Sequence, residues 1–189
     1  RIKAVVFMIF TTVTVYFLAL VIEHIQNVAN EYLAQNKQLL TKEEKKRYRN
    51  KIKYKKRVYM VICLVLNFGM LAIIKYSGFT ISGINFILRH SGVDKQFPFF
   101  TILAPIGISF FTFQAMSYII DVYQGKYVCE KNIFKFALFV SFFPQIMQGP
   151  IGRYNRLAPT LFEGNDYSLK NIQFGLQRIG WGLFKKLLM

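Results

Sequence analysis

The chain has 189 residues, of which 53% are hydrophobic and 17% aromatic, and it carries 25 Lys and Arg against 9 Asp and Glu. Its mean hydropathy of +0.30, with 20 Phe and 11 Tyr, exceeds what a soluble domain of this length can bury and excludes a disordered chain. Two cysteines exclude a disulfide scaffold. Apolar excess together with a net charge of +16 is typical of a polytopic membrane protein with basic loops.

The first predicted element is a transmembrane helix over residues 4–22. This stretch carries no charge, and its 19 residues are enough to cross a hydrocarbon core of about 30 Å. It is longer than the apolar region of a signal peptide and leads directly into Glu23 and His24. We therefore expect it to be a span of the mature protein.

Residues 23–57 follow as a basic connector. Between Lys37 and Arg57 it holds eleven Lys and Arg against two Glu, which leaves +9 of the total +16. Too few apolar residues are present for a folded nucleic-acid-binding domain, so we expect no nucleic-acid partner. The basic bias predicts a cytoplasmic loop, and Thr41-Lys42-Glu43-Glu44 predicts a helix start within it. That helix either rests on the bilayer surface or is fully solvated.

A second span is predicted over residues 58–74 and a third over residues 97–120, which two prolines interrupt. The loop between them, residues 75–96, holds three glycines and only three basic residues, so it is expected outside the cell. The short loop 121–132 then returns to the cytoplasmic side.

Residues 133–151 are predicted to be a broken or re-entrant segment. The 15 apolar residues 133–147 reach about 22 Å as a helix, short of the hydrocarbon core of about 30 Å. The next six residues, Gln148-Gly149-Pro150-Ile151-Gly152-Arg153, cannot form regular helix, and irregular backbone at this depth must line a protein-enclosed cavity. Gln148, Gly149, Pro150 and Arg153 are therefore candidate substrate-path residues, although Arg153 could instead reach headgroups at the surface.

Residues 168–189 predict an amphipathic helix that carries basic residues. In the third span, four polar residues at offsets of zero, three, four and seven share one helical face: Gln114, Ser117, Tyr118 and Asp121. They are candidates for the substrate path, and the alternative is that they only bind this helix to its neighbours.

The chain shows no complete active site. His24 and His90 have no carboxylate pattern around them, so neither resembles a general base or a metal ligand. Cys63 is interpreted as a packing residue and Cys129 as a loop residue. Since no hydrolase, zincin or P-loop motif occurs, the catalytic residues stay unknown, and neither a metal nor a bound cofactor is predicted.

Two motifs nevertheless resemble those of the membrane-bound O-acyltransferase family. The first is Pro105-Ile106-Gly107-Ile108-Ser109-Phe110-Phe111-Thr112-Phe113-Gln114-Ala115-Met116-Ser117-Tyr118, followed by Ile120-Asp121-Val122-Tyr123. The second is Phe142-Phe143-Pro144-Gln145, with Gly149-Pro150-Ile151 and Arg153-Tyr154. A looser match continues through Arg178-Ile179-Gly180-Trp181-Gly182-Leu183-Phe184-Lys185-Lys186, so the resemblance covers residues 58–189.

The resemblance implies an all-α ring of transmembrane helices around a funnel, in the bacterial cytoplasmic membrane. Acyl donor and acceptor would meet in this funnel from opposite sides of the bilayer. The donor, acyl-CoA or an acyl carrier protein, is not identified, and the acceptor would be a hydroxyl of an extracytoplasmic polysaccharide or cell-wall polymer, reached directly or through a partner acetyltransferase. The family histidine lies on a later apolar helix, so we expect it beyond Met189 and expect this chain to be an internal fragment.

Within the family, the residues of the two motifs most resemble those of the alginate O-acetyltransferase-like branch. The D-alanyl-transfer branch typically has Lys after the Thr-Phe pair and Asp after Gly-Pro-Ile, where this chain has Gln114 and Gly152. Acetyl transfer is therefore preferred, with D-alanyl transfer to teichoic acid as the alternative. A transporter would predict an internal repeat, which the sequence does not show. A non-enzymatic scaffold held to anionic lipid would leave the Gln-Gly-Pro segment without a role.

Overall fold

The computed structural model describes residues 2–38, 40–91, 107–146, 152–164 and 168–188, and its regular elements in these ranges are all α-helices. In chain order they are α1 (Ile2–Gln35), α2 (Lys42–His90), α3 (Ile108–Tyr123), α4 (Ile133–Val140), α5 (Phe143–Ile146), α6 (Tyr154–Phe162) and α7 (Leu169–Leu188).

The first two helices are longer than the predicted spans. α1 has 34 residues and α2 has 49, and each contains a stretch long and apolar enough to cross a membrane. At about 1.5 Å per residue α2 reaches about 74 Å, more than twice the thickness of a hydrocarbon core. The basic connector is thus mostly helical: α1 continues to Gln35, and the turn before α2 takes only a few residues.

The predicted helix start at Thr41 is confirmed. Thr41 is the N-cap of α2, and its hydroxyl accepts a hydrogen bond from the Glu44 N–H at 3.3 Å. In return the Thr41 N–H donates to Oε2 of Glu44 at 2.8 Å. This reciprocal capping box satisfies backbone donors that the first turn of a helix leaves free.

The predicted loop 75–96 is wrong as far as His90, because α2 continues through it. Gly78 and Gly83 are two of the three glycines that favour a loop in the sequence, yet one glycine costs a helix only about 1 kcal/mol. The apolar pattern continues past them, and the hydroxyls of Thr80 and Ser82 donate to carbonyls four residues earlier at 3.0 and 2.8 Å. Composition alone therefore suggested a loop where helical hydrogen bonding persists.

The third predicted span lies partly outside the described residues, which resume at Gly107. Gly107 caps the start of α3 with a φ of 80°, a left-handed conformation that side chains disfavour. From there α3 packs against both α1 and α2, and most of its residues are buried. α1 and α2 are also joined directly, since Nδ2 of Asn67 donates to the Thr14 hydroxyl at 3.2 Å.

The segment after α3 consists of short helices. α4 is capped by Asn132, whose side chain accepts from two backbone N–H groups, and it ends at Ser141 before the four-residue α5. Residues 147–151, and with them Gln148, Gly149 and Pro150, lie outside the described residues. The path of 133–151 relative to a bilayer therefore stays a prediction. The final α7 is a helix as predicted, and none of its residues is buried.

One contact shows which parts of the chain share an end of the helix bundle. Nζ of Lys56 in α2 donates to Oε1 of Gln26 in α1 at 2.7 Å and to the Tyr123 carbonyl of α3 at 3.2 Å. The basic connector and the 121–132 loop hence lie at the same end, as the predicted topology requires. Which side of the membrane this end faces remains a prediction.

Candidate substrate path at the two motifs

The four polar residues predicted on α3 lie on one side of the helix, toward α4 and the 124–132 segment. Gln114, Tyr118 and Asp121 are buried, and Ser117 is partly buried. Ser117 bonds within its own helix, donating to the Gln114 carbonyl at 2.9 Å. The predicted common face is therefore present in the fold.

Gln114 joins the first motif to the second. Its Nε2 donates to the Phe139 carbonyl of α4 at 2.9 Å and to Oε1 of Gln145 in α5 at 3.0 Å. The side chain of Gln114 is 2% exposed, so these acceptors replace the water that the amide would otherwise bind. The amide thus connects three helices in the middle of the bundle.

Gly152 lies against the same Gln145 side chain. A Cβ atom at Gly152 would lie 2.6 Å from Nε2 and 2.8 Å from Oε1 of Gln145. Only a glycine leaves space for the Gln145 amide in its present position. Gln114, Gln145 and Gly152 form one group, which we call the glutamine cluster.

Tyr118 lies one turn further along α3, at the centre of a group of aromatic rings. Its hydroxyl accepts from the Glu130 N–H at 2.8 Å and lies 3.1 Å from Sγ of Cys129. The surrounding rings, with centroids 4.6 to 6.4 Å from that of Tyr118, belong to Phe136, Tyr154, Tyr127 and Phe139. Tyr118 and the four residues that carry these rings are called the tyrosine cluster below.

Glu130 supplies the negative charge beside the tyrosine cluster. The Tyr154 hydroxyl donates to Oε2 of Glu130 at 2.7 Å. Burial opposes ionisation of Glu130, but the hydrogen bonds from Tyr154 and the Asn132 N–H, with the charge of Lys135, outweigh it and lower its pKa. Burial and the neighbouring Glu130 carboxylate raise the pKa of Tyr154, so this phenol donates and does not act as a base.

Cys129 is held as a neutral thiol. Burial raises its pKa to about 11, against the opposing effect of the Tyr118 hydrogen bond, and the charges of Glu23 and Glu130 add to the rise. Its backbone N–H also donates to Oε1 of Glu23 at 3.3 Å, which attaches the loop to α1. Because the thiolate is the nucleophilic form, this cysteine is a poor acyl acceptor at neutral pH.

Asp121 forms an ion pair at the end of α3. Its Oδ1 lies 2.7 Å from Nζ of Lys126, with the carboxylate buried and the ammonium half exposed. Burial, followed by the Asp121 charge, raises the pKa of the neighbouring Tyr127. Asp121 thus closes the loop that carries Tyr127, Cys129 and Glu130.

The structure brings the α3 residues together, and the charge of Arg153 acts on Tyr127 beside them, opposing the rise of the Tyr127 pKa. Arg153 is exposed at the start of α6, where its carbonyl accepts from the N–H groups of Arg156 and Leu157. The hydrogen bonds of Gln114, Ser117 and Tyr118 run to other groups of the protein, as the helix-binding alternative requires. A substrate path along these residues therefore stays a proposal.

Sequence reasoning missed Gln145, Glu130 and Tyr154 as members of the site. Gln145 and Tyr154 do stand in the second motif, so a signal was present for them. Glu130 is a loop residue without a pattern, and only the fold reveals its contact with Tyr154.

Three known proteins resemble this chain over 38% to 71% of its length. The probable alginate O-acetylase AlgI of Pseudomonas syringae pv. tomato is 34% identical over 128 residues, 68% of this chain and 24% of that protein. The peptidoglycan O-acetyltransferase of Helicobacter pylori is 28% identical over 160 residues, 71% of this chain and 29% of that protein. The teichoic acid D-alanyltransferase of Lacticaseibacillus rhamnosus is 37% identical over 75 residues, 38% of this chain and 18% of that protein. No family profile and no solved structure matches the chain.

The described residues form an all-helical fold with two membrane-length helices, and together with these relatives they define the class as polytopic membrane proteins. Within this class the chain belongs to the membrane-bound O-acyltransferase family, which confirms the resemblance of the two motifs. The chain spans about a quarter of the length of the alginate O-acetylases that it matches.

Proposed function

We propose that this chain forms part of an enzyme that transfers an acetyl group to hydroxyls of an extracytoplasmic polysaccharide or cell-wall polymer, in a bacterial cytoplasmic membrane. The observation that carries the proposal is the hydrogen bond from Gln114 to Gln145, which joins the two family motifs inside one helix bundle. The similarity to an alginate O-acetylase and a peptidoglycan O-acetyltransferase supports acetyl transfer.

Acyl transfer to a hydroxyl needs a base for the hydroxyl proton and donors for the oxyanion. The phenols of the tyrosine cluster are no bases at neutral pH, and neither histidine of the chain lies in that cluster or in the glutamine cluster. His24 is exposed on α1, and His90 is exposed at the end of α2. The family resemblance assigns the base to a histidine on a further apolar helix. The role proposed for α3 to α6 is to build and stiffen the wall of the substrate path.

The glutamine cluster supports acetyl over D-alanyl transfer. The two positions at which this chain departs from the D-alanyl-transfer branch, Gln114 and Gly152, both contact Gln145. The resemblance would place Lys and Asp there in the D-alanyl branch, whereas the present cluster is neutral. The similarity to a teichoic acid D-alanyltransferase keeps D-alanyl transfer as the second candidate.

The remaining residues of the proposed substrate path are Gln148, Gly149, Pro150 and Arg153. A turn with freed amides needs polar partners inside a membrane protein, and these residues would supply a cavity wall. The proposed partners are the lipid bilayer, an acyl donor and the acceptor polymer, reached directly or through a partner acetyltransferase.

Deletion of the gene in the source organism tests the proposed function. Envelope polymers from the deletion strain should release less acetate on mild alkaline treatment, and the intact gene should restore it. A gene encoding Gln145→Leu should restore much less, at equal membrane abundance. Unchanged ester acetate with reduced ester D-alanine would establish the second candidate, and no change in either ester would overturn acyl transfer.

A further inference from the structure

A deep groove lies at the basic end of the bundle, away from the two motifs. It encloses about 870 Å³ between the C-terminal half of α1, the first turns of α2 and the end of α3. Five cationic side chains line it: Lys37, Lys45, Arg49, Lys53 and Lys56. No carboxylate stands among the described residues of its wall. This cavity is called the basic groove.

Contacts between α1 and α2, the two main walls of the groove, fix the position of one wall relative to the other. The rings of Tyr32 in α1 and Tyr48 in α2 lie 4.7 Å apart, and Nζ of Lys45 donates to the Lys37 carbonyl at 2.6 Å. The capping box at Thr41 fixes the start of the second wall. Four of the five cations are consequently presented by α2, and Lys37 lies in the turn that follows α1.

Lys56 forms the inner end of the groove. It is buried, and desolvation followed by the charge of Lys53 lowers its pKa. Its ammonium has three donor hydrogens, of which Gln26 and the Tyr123 carbonyl accept two. Both acceptors are neutral, so the buried positive charge has no carboxylate partner among the groove residues that the structure describes. A bound anion would supply the missing charge.

Cytoplasmic loops of membrane proteins carry an excess of Lys and Arg, which explains why this region is basic. That rule does not explain how the cations are arranged. Lys51 and Lys55 stand on the same helix, are exposed and do not line the groove. Arg49, Lys53 and Lys56 stand at offsets of zero, four and seven, so they follow one helical stripe into the cavity. The convergence of cations on one concave site is therefore a property of the fold.

We propose that the basic groove binds a phosphate group of a phosphorylated ligand, either the headgroup of an anionic phospholipid or a soluble phosphate compound. Arg49 offers a planar set of donors for phosphate oxygens, and the lysines add point charges. The volume is within the range of small-ligand sites, which is about 300–1,000 Å³. This binding does not depend on the acyl-transfer activity.

Titration calorimetry on the purified protein in neutral detergent tests the proposal with two probes. Inorganic pyrophosphate represents a soluble phosphate compound, and short-chain phosphatidylglycerol represents a lipid headgroup. Phosphatidylcholine of the same chain length, whose zwitterionic headgroup has no net charge, is the control. Binding of either probe, weakened by salt, supports the groove and identifies the source of the phosphate, whereas failure of both probes overturns the proposal.

Two pairs of substitutions locate the binding. The double variant Arg49→Gln with Lys53→Gln removes two groove cations, and Lys51→Gln with Lys55→Gln removes two cations of the same helix outside it. One surface cation strengthens the binding of an anionic ligand by about tenfold or less. Removal of the two groove cations should therefore weaken binding by at least about tenfold, and removal of the control pair by less than about threefold. Equal losses in both pairs would mean attraction to the general surface charge and would overturn the groove. All four side chains are exposed, so circular dichroism should show unchanged helix content.

Discussion

Nε2 of Gln114 and Oε1 of Gln145 lie 3.0 Å apart, although 31 positions separate these residues in the chain. One stands in the middle of α3 and the other in the short α5. The contact exists because α4 packs beside α3 and then breaks at Ser141, which turns α5 back toward the Gln114 amide. Two motifs that are separate in sequence are thus in contact in the fold.

The Gly152→Ala substitution should weaken this site without unfolding the protein. The new methyl group would displace the Gln145 amide, which lies at the flexible end of its side chain, and would break the bond to Gln114. A lost neutral hydrogen bond costs about 1 kcal/mol of unfolding free energy. We expect a lower thermal midpoint and a several-fold lower ester-acetate content of the envelope polymer. Gly175→Ala, with nothing within 4 Å of the new Cβ, is the matched control and should retain activity.

The Tyr154→Phe substitution should change how stability depends on pH. The folded-state pKa of Glu130 lies below its ordinary value of 4.5, so its carboxylate stabilises the fold above about pH 4.5. That contribution is lost as the pH falls through the lowered pKa. Removing the Tyr154 hydroxyl should lower the unfolding free energy at neutral pH by about 1 kcal/mol. It should also make the fall in unfolding free energy at acid pH, the acid limb of the stability curve, less steep.

Thermal unfolding in detergent at a series of pH values measures this effect. Tyr54→Phe is the control, because its ring is 68% exposed on α2. If Tyr154→Phe leaves the acid limb as steep as in the parent protein, the bond to Glu130 does not stabilise the fold.

Cys129 should react slowly with iodoacetamide in the folded protein. With a pKa of about 11, only about 0.1% of its thiol is ionised at about pH 8, and the side chain is buried as well. The rate should rise about tenfold per pH unit toward the pKa. Peptide mapping by mass spectrometry follows this residue separately from Cys63. Labelling at about pH 8 as fast as in denaturant would contradict both the burial and the raised pKa.

Single cysteines should report the membrane topology. In a background with Cys63→Ala and Cys129→Ala, an impermeant maleimide added to intact cells should label Ser91→Cys and not Lys51→Cys. The reason is the eleven-to-three asymmetry of basic residues between the segments 37–57 and 75–96. Permeabilised cells should label both sites, which controls for access. The opposite pattern in intact cells would invert the topology.

The Arg153→Lys substitution separates a substrate contact from simple surface exposure. Lysine keeps the charge and can also reach headgroups, but it lacks the planar donor set of arginine. If Arg153 belongs to the substrate path, acyl transfer should fall at least about tenfold at normal membrane abundance. Arg156→Lys, at an exposed position on the same helix, should have little effect. Near-native turnover of Arg153→Lys would remove it from the proposed path.

Several features of this protein follow from its sequence alone. Apolar runs and basic bias indicate the membrane class, the residues after Thr41 predict a capping box, and the offsets of Gln114, Ser117, Tyr118 and Asp121 place them on one face. These are short-range properties, because they depend on residues within one or two helical turns. The two motifs likewise indicate the family.

Only the tertiary structure decided which of these groups meet. Whether α2 stopped at residue 74 or continued to His90 depended on hydrogen bonding that composition does not reveal. The contacts of Gln114 with Gln145 and of Lys56 with Gln26 join segments 31 and 30 positions apart, and they arise from how the helices pack. Packing of whole helix faces is a long-range property, and a local pattern restricts it without selecting one arrangement.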